Sequence, residues 1–233
     1  RVEEILMKSF DVLCVFNEQM KKAIIGRYDI SDKKFVEFEI LDYGVVFSPS
    51  KGKECETSRW TIVYAGGLDK KYLGEWVKDL PRSEAMRYEF IGTNGDWLSE
   101  INRGDFIYRG FMNPENLLNH ISRNAHFGII GMASDAWREY CNYGTTSKFS
   151  AYLSAGLPLV VSSEYVYISS LVKKYGIGLL FDSLNDISAR VQDLSASDYE
   201  RMRNRCLRLG ERIRTGRFFK RAVSRAMNRL GMT

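Results

Sequence analysis

The segment GTTSKFSAYLSAGLPLVVSS, residues 144–163, encodes a helix, its stop signal and a strand in one run. Hydroxyl residues and Lys148 stand at the start of a predicted helix over Ser147–Ala155. Gly156 is typical of the residue that follows a helix in the left-handed conformation. The run Pro158–Val161 begins with a proline, which prevents the helix from continuing, and its apolar residues then predict a buried strand. A helix that leads directly into a buried strand is characteristic of a parallel α/β fold.

The same alternation of strand and helix patterns covers most of the chain. Strands are predicted at Asp11–Phe16, Val36–Ile40, Trp60–Ala65, Tyr88–Ile91, Phe106–Tyr108, Phe127–Met132, Pro158–Val161 and Gly178–Phe181. Helices are predicted at Glu18–Ile25, Lys71–Leu80, Pro114–Asn124, Ser147–Ala155, Tyr165–Tyr175 and Asp186–Leu194. The predicted fold class is therefore α/β, with a doubly wound, Rossmann-like parallel sheet of six strands from Trp60 onward.

The composition along the chain suggests a division into parts. Residues 45–59, VVFSPSKGKECETSR, are polar, contain a proline and a glycine, and show no periodicity, which predicts a linker. Residues 1–44 carry two predicted strands, too few for an independent core, and we expect them to be the end of a preceding α/β domain. Residues 60–212 then form a complete doubly wound domain, and residues 213–233 a C-terminal amphipathic helix.

The end of the chain is strongly basic. The net charge of the 233 residues is +5, yet Arg201 to Arg229 contain eleven Arg or Lys against one acidic residue, Glu211. That stretch carries +10 and leaves −5 for the rest, so the overall charge says little about the partners of the body.

The cysteines and histidines form no recognisable metal pattern. The four cysteines are scattered without a CxxC pair, so we expect reduced thiols in a cytoplasmic protein. His120 and His126 lie six residues apart, which is not a ligand spacing for one helix face. No apolar run approaches the roughly 18 residues of a membrane span. Neither a metal nor a cofactor is expected.

The last part of the chain reads as two helices. Ser197 and Glu200 fit a capping box, which predicts a helix that runs to about Arg214 and breaks at Gly216. The second helix places an apolar stripe on one face, formed by Phe219, Ala222, Val223, Ala226, Met227 and Leu230. We expect this stripe to pack on residues 1–44 or on a neighbouring chain, with the arginines toward solvent.

A candidate site lies where the segment 144–163 begins. In an open parallel sheet, ligands bind beyond the carboxyl ends of the strands. The connection Ala133–Thr146 is unusually long and places Thr145, Thr146, Ser147 and Lys148 at a helix N-terminus on that edge. The amides and dipole of a helix start favour an anion, and an ammonium group strengthens that preference. In the alternative interpretation, Ser147 only caps the helix and Lys148 is solvated.

Three further loops follow strands on the same edge. AGGLDKK (65–71) permits close backbone approach and offers Lys70 or Lys71 to a phosphate. IGTNGDW (91–97) follows the next strand, and YRGFMNPE (108–115) offers aromatic surfaces for a base. The residues selected from these loops are Gly66, Gly67, Lys70, Gly92, Asn94, Tyr108 and Phe111. Four such loops on one edge favour a nucleotide.

Several nucleotide-binding classes are excluded by what the motifs lack. AGGLDKK is not GxGxxG, which argues against a dinucleotide dehydrogenase. GTTSKF is not a P-loop, because Lys148 is followed by Phe149. No Asp-x-Asp pair is present to hold a metal-bound diphosphate. A diphosphate would then be neutralised by lysine, helix dipole and amides, without a metal.

The block YCNYGTTSKFSAYLSAGLPLVVSS (140–163) resembles the nucleotide-sugar site of bacterial GT-B glycosyltransferases. The group it resembles includes the adhesin-glycosylating glucosyltransferases of streptococci and β-1,6-galactofuranosyltransferase-like enzymes. The segments RIRTGRFFKRA (212–222) and FEILDY (38–43) are similar to later and earlier parts of the same family. The resemblance therefore covers nearly the whole chain, with one specific block.

The resemblance implies a UDP-sugar donor. Lys148 would contact its diphosphate, Lys70 would stand near it, and Tyr108 or Phe111 would lie near uracil and ribose. The chain departs from the wider GT-B pattern at two places. That pattern has arginine where Gly67 stands, and it has a glutamate that this chain lacks in the helix of Lys148. Contacts to the donor sugar are therefore not assigned. The group that handles the acceptor hydroxyl is unknown and would belong to the preceding domain.

The expected activity is metal-independent transfer of a hexosyl group from UDP-glucose or UDP-galactofuranose to a glycan or glycosylated-protein hydroxyl, in cell-surface glycan biosynthesis. Two alternatives stay open. The chain would otherwise be a non-catalytic nucleotide-sugar-binding subunit that supports a partner transferase, or a basic membrane- or nucleic-acid-associated protein. Homo-oligomerisation is left open, nucleic acid is not expected as a partner, and membrane-surface association is less favoured than docking of the tail within the molecule.

Overall fold

A computed structural model describes residues 2–49, 59–73, 75–131, 139 and 141–232 of the chain. Part of the predicted linker (50–58), Met132 of a predicted strand, and half of the predicted loop Ala133–Thr146 lie outside these ranges. None of the described helices is long and apolar enough to cross a membrane.

The helices and strands follow one another in the order that the sequence predicts. They are α1 (Val2–Ser9), β1 (Val12–Val15), α2 (Glu18–Arg27), β2 (Lys34–Glu37), β3 (Trp60–Ala65), α3 (Lys70–Leu73), β4 (Met86–Ile91), β5 (Phe106–Tyr108), α4 (Pro114–Asn124), β6 (Phe127–Ile130), α5 (Ser147–Ser154), β7 (Leu159–Ser162), α6 (Val166–Tyr175), β8 (Gly178–Phe181), α7 (Leu184–Gln192), α8 (Ala196–Arg214) and α9 (Arg217–Leu230). Short 3₁₀ turns occupy Glu75–Val77 and Asp96–Ile101.

The main sheet has six parallel strands in the order β5-β4-β3-β6-β7-β8. Counted from Trp60, this is the order 3-2-1-4-5-6 of a doubly wound sheet, so the predicted fold class is confirmed. The strand order reverses between β3 and β6, which makes the crevice above these strands the expected ligand position. β1 and β2 pair in parallel as a separate two-stranded sheet, with Val12 opposite Lys34.

Both faces of the main sheet are buried, which explains the continuous apolar runs. Ile62 and Val63 are neighbours in β3 and point to opposite faces, yet both are completely buried. They belong to different apolar clusters, one on each face of the sheet. Because neither face meets water, the strands need no alternating polar residues.

Helix α5 lies close to its neighbours because glycines face it. A Cβ atom at Gly128 of β6 would stand 2.3 Å from the Tyr152 ring. A Cβ atom at Gly210 of α8 would stand 2.0 Å from the carbonyl oxygen of Leu153. Gly156, with φ +78°, takes the left-handed conformation predicted for the residue after the helix.

The segment that includes β1 and β2 is attached to the start of α5. Asn17 Nδ2 donates to the carbonyl oxygen of Tyr143 at 2.8 Å. The backbone N–H of Leu41 donates to Thr145 Oγ1 at 3.1 Å. A Cβ atom at Gly144 would collide with the Phe16 ring at 2.6 Å. These contacts join parts of the chain that are more than a hundred residues apart.

Two helix predictions are wrong in detail. The helix predicted at Lys71–Leu80 is instead the short α3 followed by a 3₁₀ turn; the sequence has Gly74, a poor helix former, in its middle. Helix α8 is capped by Ser195, which accepts from the backbone N–H of Asp198 at 3.1 Å, and not by Ser197. The same spacing of hydroxyl and carboxylate residues occurs twice there, and the earlier pair forms the cap.

The last helix packs on residues 1–44 as predicted, but only the alanines of the predicted stripe are buried or half-buried there. It lies against β2, where Lys34 Nζ donates to the carbonyl oxygen of Arg229 at 2.7 Å. Phe218 and Ala222 are the buried residues of this helix. Phe219, Val223, Met227 and Leu230 of the predicted stripe remain exposed. One residue of register is about 100° of rotation in an α-helix, which turns most of the stripe away from the protein.

Candidate functional site

A cleft of about 370 Å³ opens at the carboxyl ends of β3, β4 and β5, beside the N-terminus of α5. It is lined by Tyr43, Ala65, Gly66, Gly67, Ile91, Gly92, Thr93, Phe111, Met112, Pro114, Leu117, Ser147, Lys148 and Ala151. The cleft therefore lies on the edge of the sheet at which open α/β folds bind ligands.

Lys148 supplies the positive charge of this cleft. It is the second residue of α5, and its Nζ lies 5.0 Å from the centre of the Tyr64 ring. In the part of the chain that the structure describes, no carboxylate forms an ion pair with it. A Cβ atom at Gly66 would stand 2.7 Å from Lys148 Cε, so the glycine makes room for the lysine. The ammonium group is thus held over the β3 loop by packing and a cation–π contact, with its charge available to a ligand.

The first turn of α5 adds a second attraction for anions. Thr146 is its N-cap, and its hydroxyl accepts from the backbone N–H of Phe149 at 3.3 Å. Ser147, one residue later, is exposed and lines the cleft. The alternative in which Ser147 caps the helix is therefore wrong. The positive end of the helix and its first amides face the same space as Lys148.

Three loops of the cleft are tied together through their backbones. The N–H of Gly66 donates to the carbonyl oxygen of Ile91, and the N–H of Gly92 donates to that of Gly110, both at 2.9 Å. A Cβ atom at Gly92 would stand only 1.7 Å from the carbonyl oxygen of Gly66. Gly66 has φ +150° and Gly92 φ +155°, which residues with side chains rarely adopt. The glycines allow an approach of these loops that no other residue would permit.

Tyr152 positions the loop that follows β3. Its hydroxyl is completely buried and accepts from the backbone N–H of Ala65 at 2.7 Å. Pairing between β3 and β6 has ended two residues earlier, at Val63 and Gly128, so the phenol replaces a strand partner. Burial raises the pKa of Tyr152 far above its usual range, and the group stays neutral. Sequence reasoning did not select Tyr152, which looks like an ordinary core residue of a helix.

Six of the eleven residues predicted from the sequence line the cleft together. They are Gly66, Gly67, Gly92, Phe111, Ser147 and Lys148. Their roles toward a ligand stay predictions.

The other predicted residues are engaged elsewhere. Thr145 is completely buried and accepts the N–H of Leu41, and Thr146 is the cap of α5. Tyr108 donates its hydroxyl to the carbonyl oxygen of Gly92 at 3.1 Å. These three residues shape the loops around the cleft and do not line it.

The two remaining predicted residues lie at the β3 and β4 loops but outside the cleft lining. Lys70 has its Nζ 5.9 Å from the centre of the Trp97 ring. Asn94 Nδ2 donates to Asp69 Oδ1 at 3.1 Å. A ligand would have to extend past the glycines to meet either side chain.

Tyr43 lines the cleft, and sequence reasoning missed it. It lies beyond β2, on the segment that runs along the start of α5, and its N–H donates to the carbonyl oxygen of Ile213 at 3.3 Å. Burial raises the pKa of the Tyr43 phenol above its usual value. No local pattern marks this residue, because its place depends on contacts with parts of the chain more than a hundred residues away.

One wall of the cleft, contributed by the β5 loop and α4, is apolar. Met112 and Leu117 line it from the β5 loop and α4, and the exposed ring of Phe111 stands at its rim. The cleft thus combines a cationic group with an apolar wall. It is suited to an elongated molecule that carries an anionic group next to a flat or apolar one.

The chain matches the family model described as glucosyltransferase 3-like, C-terminal domain, over residues 62–226. It is also 28% identical over 119 residues to glucosyltransferase 3 of Streptococcus gordonii. That match covers 50% of this chain and 35% of the relative, so it spans about a third of the relative's length.

Solved structures of glycosyltransferases share the fold. HepE of Anabaena, in complex with UDP and glucose, superposes with a TM-score of 0.66 at 11% identity. The superposition covers 98% of this chain and 66% of the HepE chain. Sucrose-phosphate synthase of Thermosynechococcus elongatus gives 0.61 at 14% identity, with 96% and 61% covered. A mutant of S. aureus TarM, bound to ligands that include UDP, gives 0.61 at 10% identity, with 88% and 43% covered. At these identities the likeness shows the fold alone.

Proposed function

Because this chain belongs to the glucosyltransferase 3-like C-terminal domain family, we propose that its cleft binds the UDP part of a nucleotide-sugar donor. The whole protein then transfers a hexosyl group from UDP-glucose or UDP-galactofuranose to a hydroxyl of a glycan or glycosylated protein. The named activity of the streptococcal relative and the UDP in the HepE structure support this choice of donor.

The observation that carries the proposal is the position of Lys148. The lysine stands at the start of a helix, beside two glycine loops, and pairs with no described carboxylate. A diphosphate beside Lys148 receives an ammonium group and the first helix amides at once. The same charges stabilise the negative charge that develops on the diphosphate of the leaving UDP as its bond to the sugar breaks. The apolar wall with Phe111 then accommodates the uracil.

The proposal also assigns a role to each part of the chain. Residues 60–212 form the nucleotide-sugar domain, residues 1–44 the end of an acceptor-side domain, and residues 45–59 the linker between them. The group that activates the acceptor hydroxyl belongs to that acceptor-side domain. Tyr43 brings the acceptor-side segment to the donor cleft, since it lines the cleft from beyond β2.

Replacing Lys148 tests the proposal directly. Lys148→Ala should weaken UDP binding by about 1.5–3 kcal/mol, because a charge-assisted hydrogen bond to the diphosphate is lost. Isothermal titration with UDP measures this change. Thermal stability should stay nearly the same, since Lys148 is half-exposed and packs only on Tyr64 and the Gly66 loop.

Lys173→Ala is the control, because Lys173 is an exposed lysine in the last turn of α6 that does not line the cleft. It should bind UDP like the parent protein. Equal UDP affinities of the parent and Lys148→Ala would refute the placement of the diphosphate at α5.

Metal chelation tests the chemistry of the same site. If Lys148 and the start of α5 neutralise the diphosphate, UDP affinity and sugar transfer should be unchanged in EDTA. UDP is titrated into the protein without the chelator, with the chelator, and with the chelator after Mg²⁺ or Mn²⁺ has been added back. Loss of binding in EDTA and recovery with either ion would show that a metal holds the diphosphate.

A further inference from the structure

The outward side of α9 is an apolar stripe that the rest of the described protein leaves uncovered. Phe219 is 64% exposed, Val223 37%, Met227 42% and Leu230 40%. Their spacing places them on one face of the helix, about a quarter turn from Phe218 and Ala222, which pack inward. We call these four residues the outer stripe. It is a continuous apolar surface on a helix that is already fixed to the protein by its other face.

The side chains of α9 that border the outer stripe carry positive charge, and Asp42 at the helix start is a carboxylate from another part of the chain. Helix α9 carries five cations, namely Arg217, Lys220, Arg221, Arg225 and Arg229. All five are exposed, and within the described ranges none of them pairs with a carboxylate. No acidic residue follows Glu211 in the sequence. The helix therefore presents apolar and cationic sectors side by side, and none of its own residues is acidic.

We propose that the outer stripe and its cations dock on the surface of an anionic lipid bilayer. Phe219 and Met227 enter the boundary between headgroups and acyl chains, while the flanking arginines and lysine contact lipid phosphates. Each cation near such a surface raises binding by about fivefold at low ionic strength. Phe218, Ala222 and the contacts to β2 keep the helix attached to the protein as it binds.

Charge and apolarity together favour this partner over others. A second copy of the chain would bring another five unpaired cations against the first. A nucleic acid would match the cations but would leave the apolar side chains of the outer stripe in water. Only an anionic surface with an apolar layer beneath it satisfies both sectors.

Helix α1 supplies an internal control for apolarity without a net positive charge, because it carries Glu3, Glu4 and one cation, Lys8, which pairs with Glu4. Its residues Val2, Ile5 and Leu6 are also exposed. They stand beside Glu3 and Glu4, which an anionic bilayer repels. Changes in this face should therefore leave lipid binding unaltered.

Vesicle co-sedimentation of the 233-residue chain tests the proposal, with phosphatidylcholine vesicles and vesicles that also contain phosphatidylglycerol. We expect at least about tenfold stronger binding to the anionic vesicles at low salt, and loss of most of that gain near 0.5 M NaCl. The double variant Phe219→Ser, Met227→Ser should reduce binding by about tenfold or more. Arg221→Gln should reduce it by about fivefold. Ile5→Ser should bind like the parent.

The readouts separate this surface from the cleft and from unfolding. All variants should keep the parent's thermal unfolding and UDP affinity, because the changed side chains are exposed and none lines the cleft. Equal binding to neutral and anionic vesicles, or unchanged binding of the double variant, would overturn the proposal. So would self-association in light scattering that Phe219→Ser abolishes, or RNA binding that depends on Arg221 and not on Phe219.

Discussion

At the scale of single residues, the shape of the cleft depends in part on groups that do not line it, such as Tyr152 and Gly128. Tyr152 lies under the β3 loop with its ring against Gly128 and its hydroxyl on the N–H of Ala65. Gly66 follows directly, and its missing side chain makes room for Lys148. A buried phenol and two glycines thus set the position of the ammonium group over the β3 loop.

Tyr152→Phe tests this dependence. Removal of the hydroxyl leaves the Ala65 N–H buried without its acceptor, so the free energy of unfolding should fall by about 1–3 kcal/mol. UDP affinity should also fall several-fold, because the loop with Gly66 loses its anchor. Urea unfolding and UDP titration measure the two effects.

Tyr167→Phe is the control for a buried tyrosine outside the cleft. Its hydroxyl donates to the carbonyl oxygen of Glu39 at 3.0 Å, and it does not line the cleft. We expect a loss of stability without a change in UDP affinity. If Tyr152→Phe behaved in the same way, the hydroxyl of Tyr152 would have only a structural role.

At the scale of elements, the last helix takes its N-terminal cap from another part of the chain. Gly216 is the N-cap residue, with φ +68°, and offers no side chain. Asp42 replaces it, since its Oδ2 accepts from the backbone N–H of Phe219 at 2.6 Å. The carboxylate also sits at the positive end of the helix dipole. One residue thus joins the segment after β2 to the start of α9.

Asp42→Ala should lower the free energy of unfolding by about 0.5–2 kcal/mol, the usual effect of losing a helix cap. Asp42→Asn keeps an oxygen acceptor and should lose less. Urea denaturation of both variants gives the comparison. Identical stability of Asp42→Ala and the parent would mean that water satisfies the first turn of α9 equally well.

At the scale of the whole molecule, Glu39 ties the segment after β2 to helix α6. It adopts the left-handed conformation, with φ +64°, which is rare for a residue with a side chain. Its carboxylate accepts from Lys174 Nζ at 2.5 Å and from the Tyr175 hydroxyl at 2.8 Å. Burial raises the pKa of Glu39, but the bonds from Lys174 and Tyr175 outweigh it and hold the pKa below its ordinary value.

The depressed pKa predicts how stability depends on pH. An acid with a lower pKa in the folded state stabilises the fold above its unfolded pKa and loses this effect as pH falls through the folded pKa. Glu39→Gln should therefore be less stable than the parent at pH 7, and the gap should close between about pH 5 and pH 3.

Urea denaturation across this pH range, with the exposed Glu37→Gln as control, measures the gap. The control should follow the parent at every pH. A stability difference between Glu39→Gln and the parent that stays constant with pH would show that the charge of Glu39 does not contribute.

The sequence by itself determined the fold class and part of the site. The strands Trp60–Ala65 and Gly178–Phe181 have the predicted bounds. The first is buried on both faces, and such a strand is a short apolar run that needs no distant information. The position of Lys148 at a helix start followed from local signals as well. The hydroxyl residues before it mark the start of the helix, and Gly156 and the proline after it mark the end.

Only the tertiary structure decided which side chains share a contact. The buried face of α9 includes Phe218 and not Phe219, because the cap from Asp42 and the contact with β2 set the rotation of the helix. Tyr43 and Tyr152 reach the cleft or its supporting loop through partners more than eighty residues away. Periodicity and turn signals act over a few residues, so they carry no information on such pairs. Those pairs depend on how the finished sheet and helices pack.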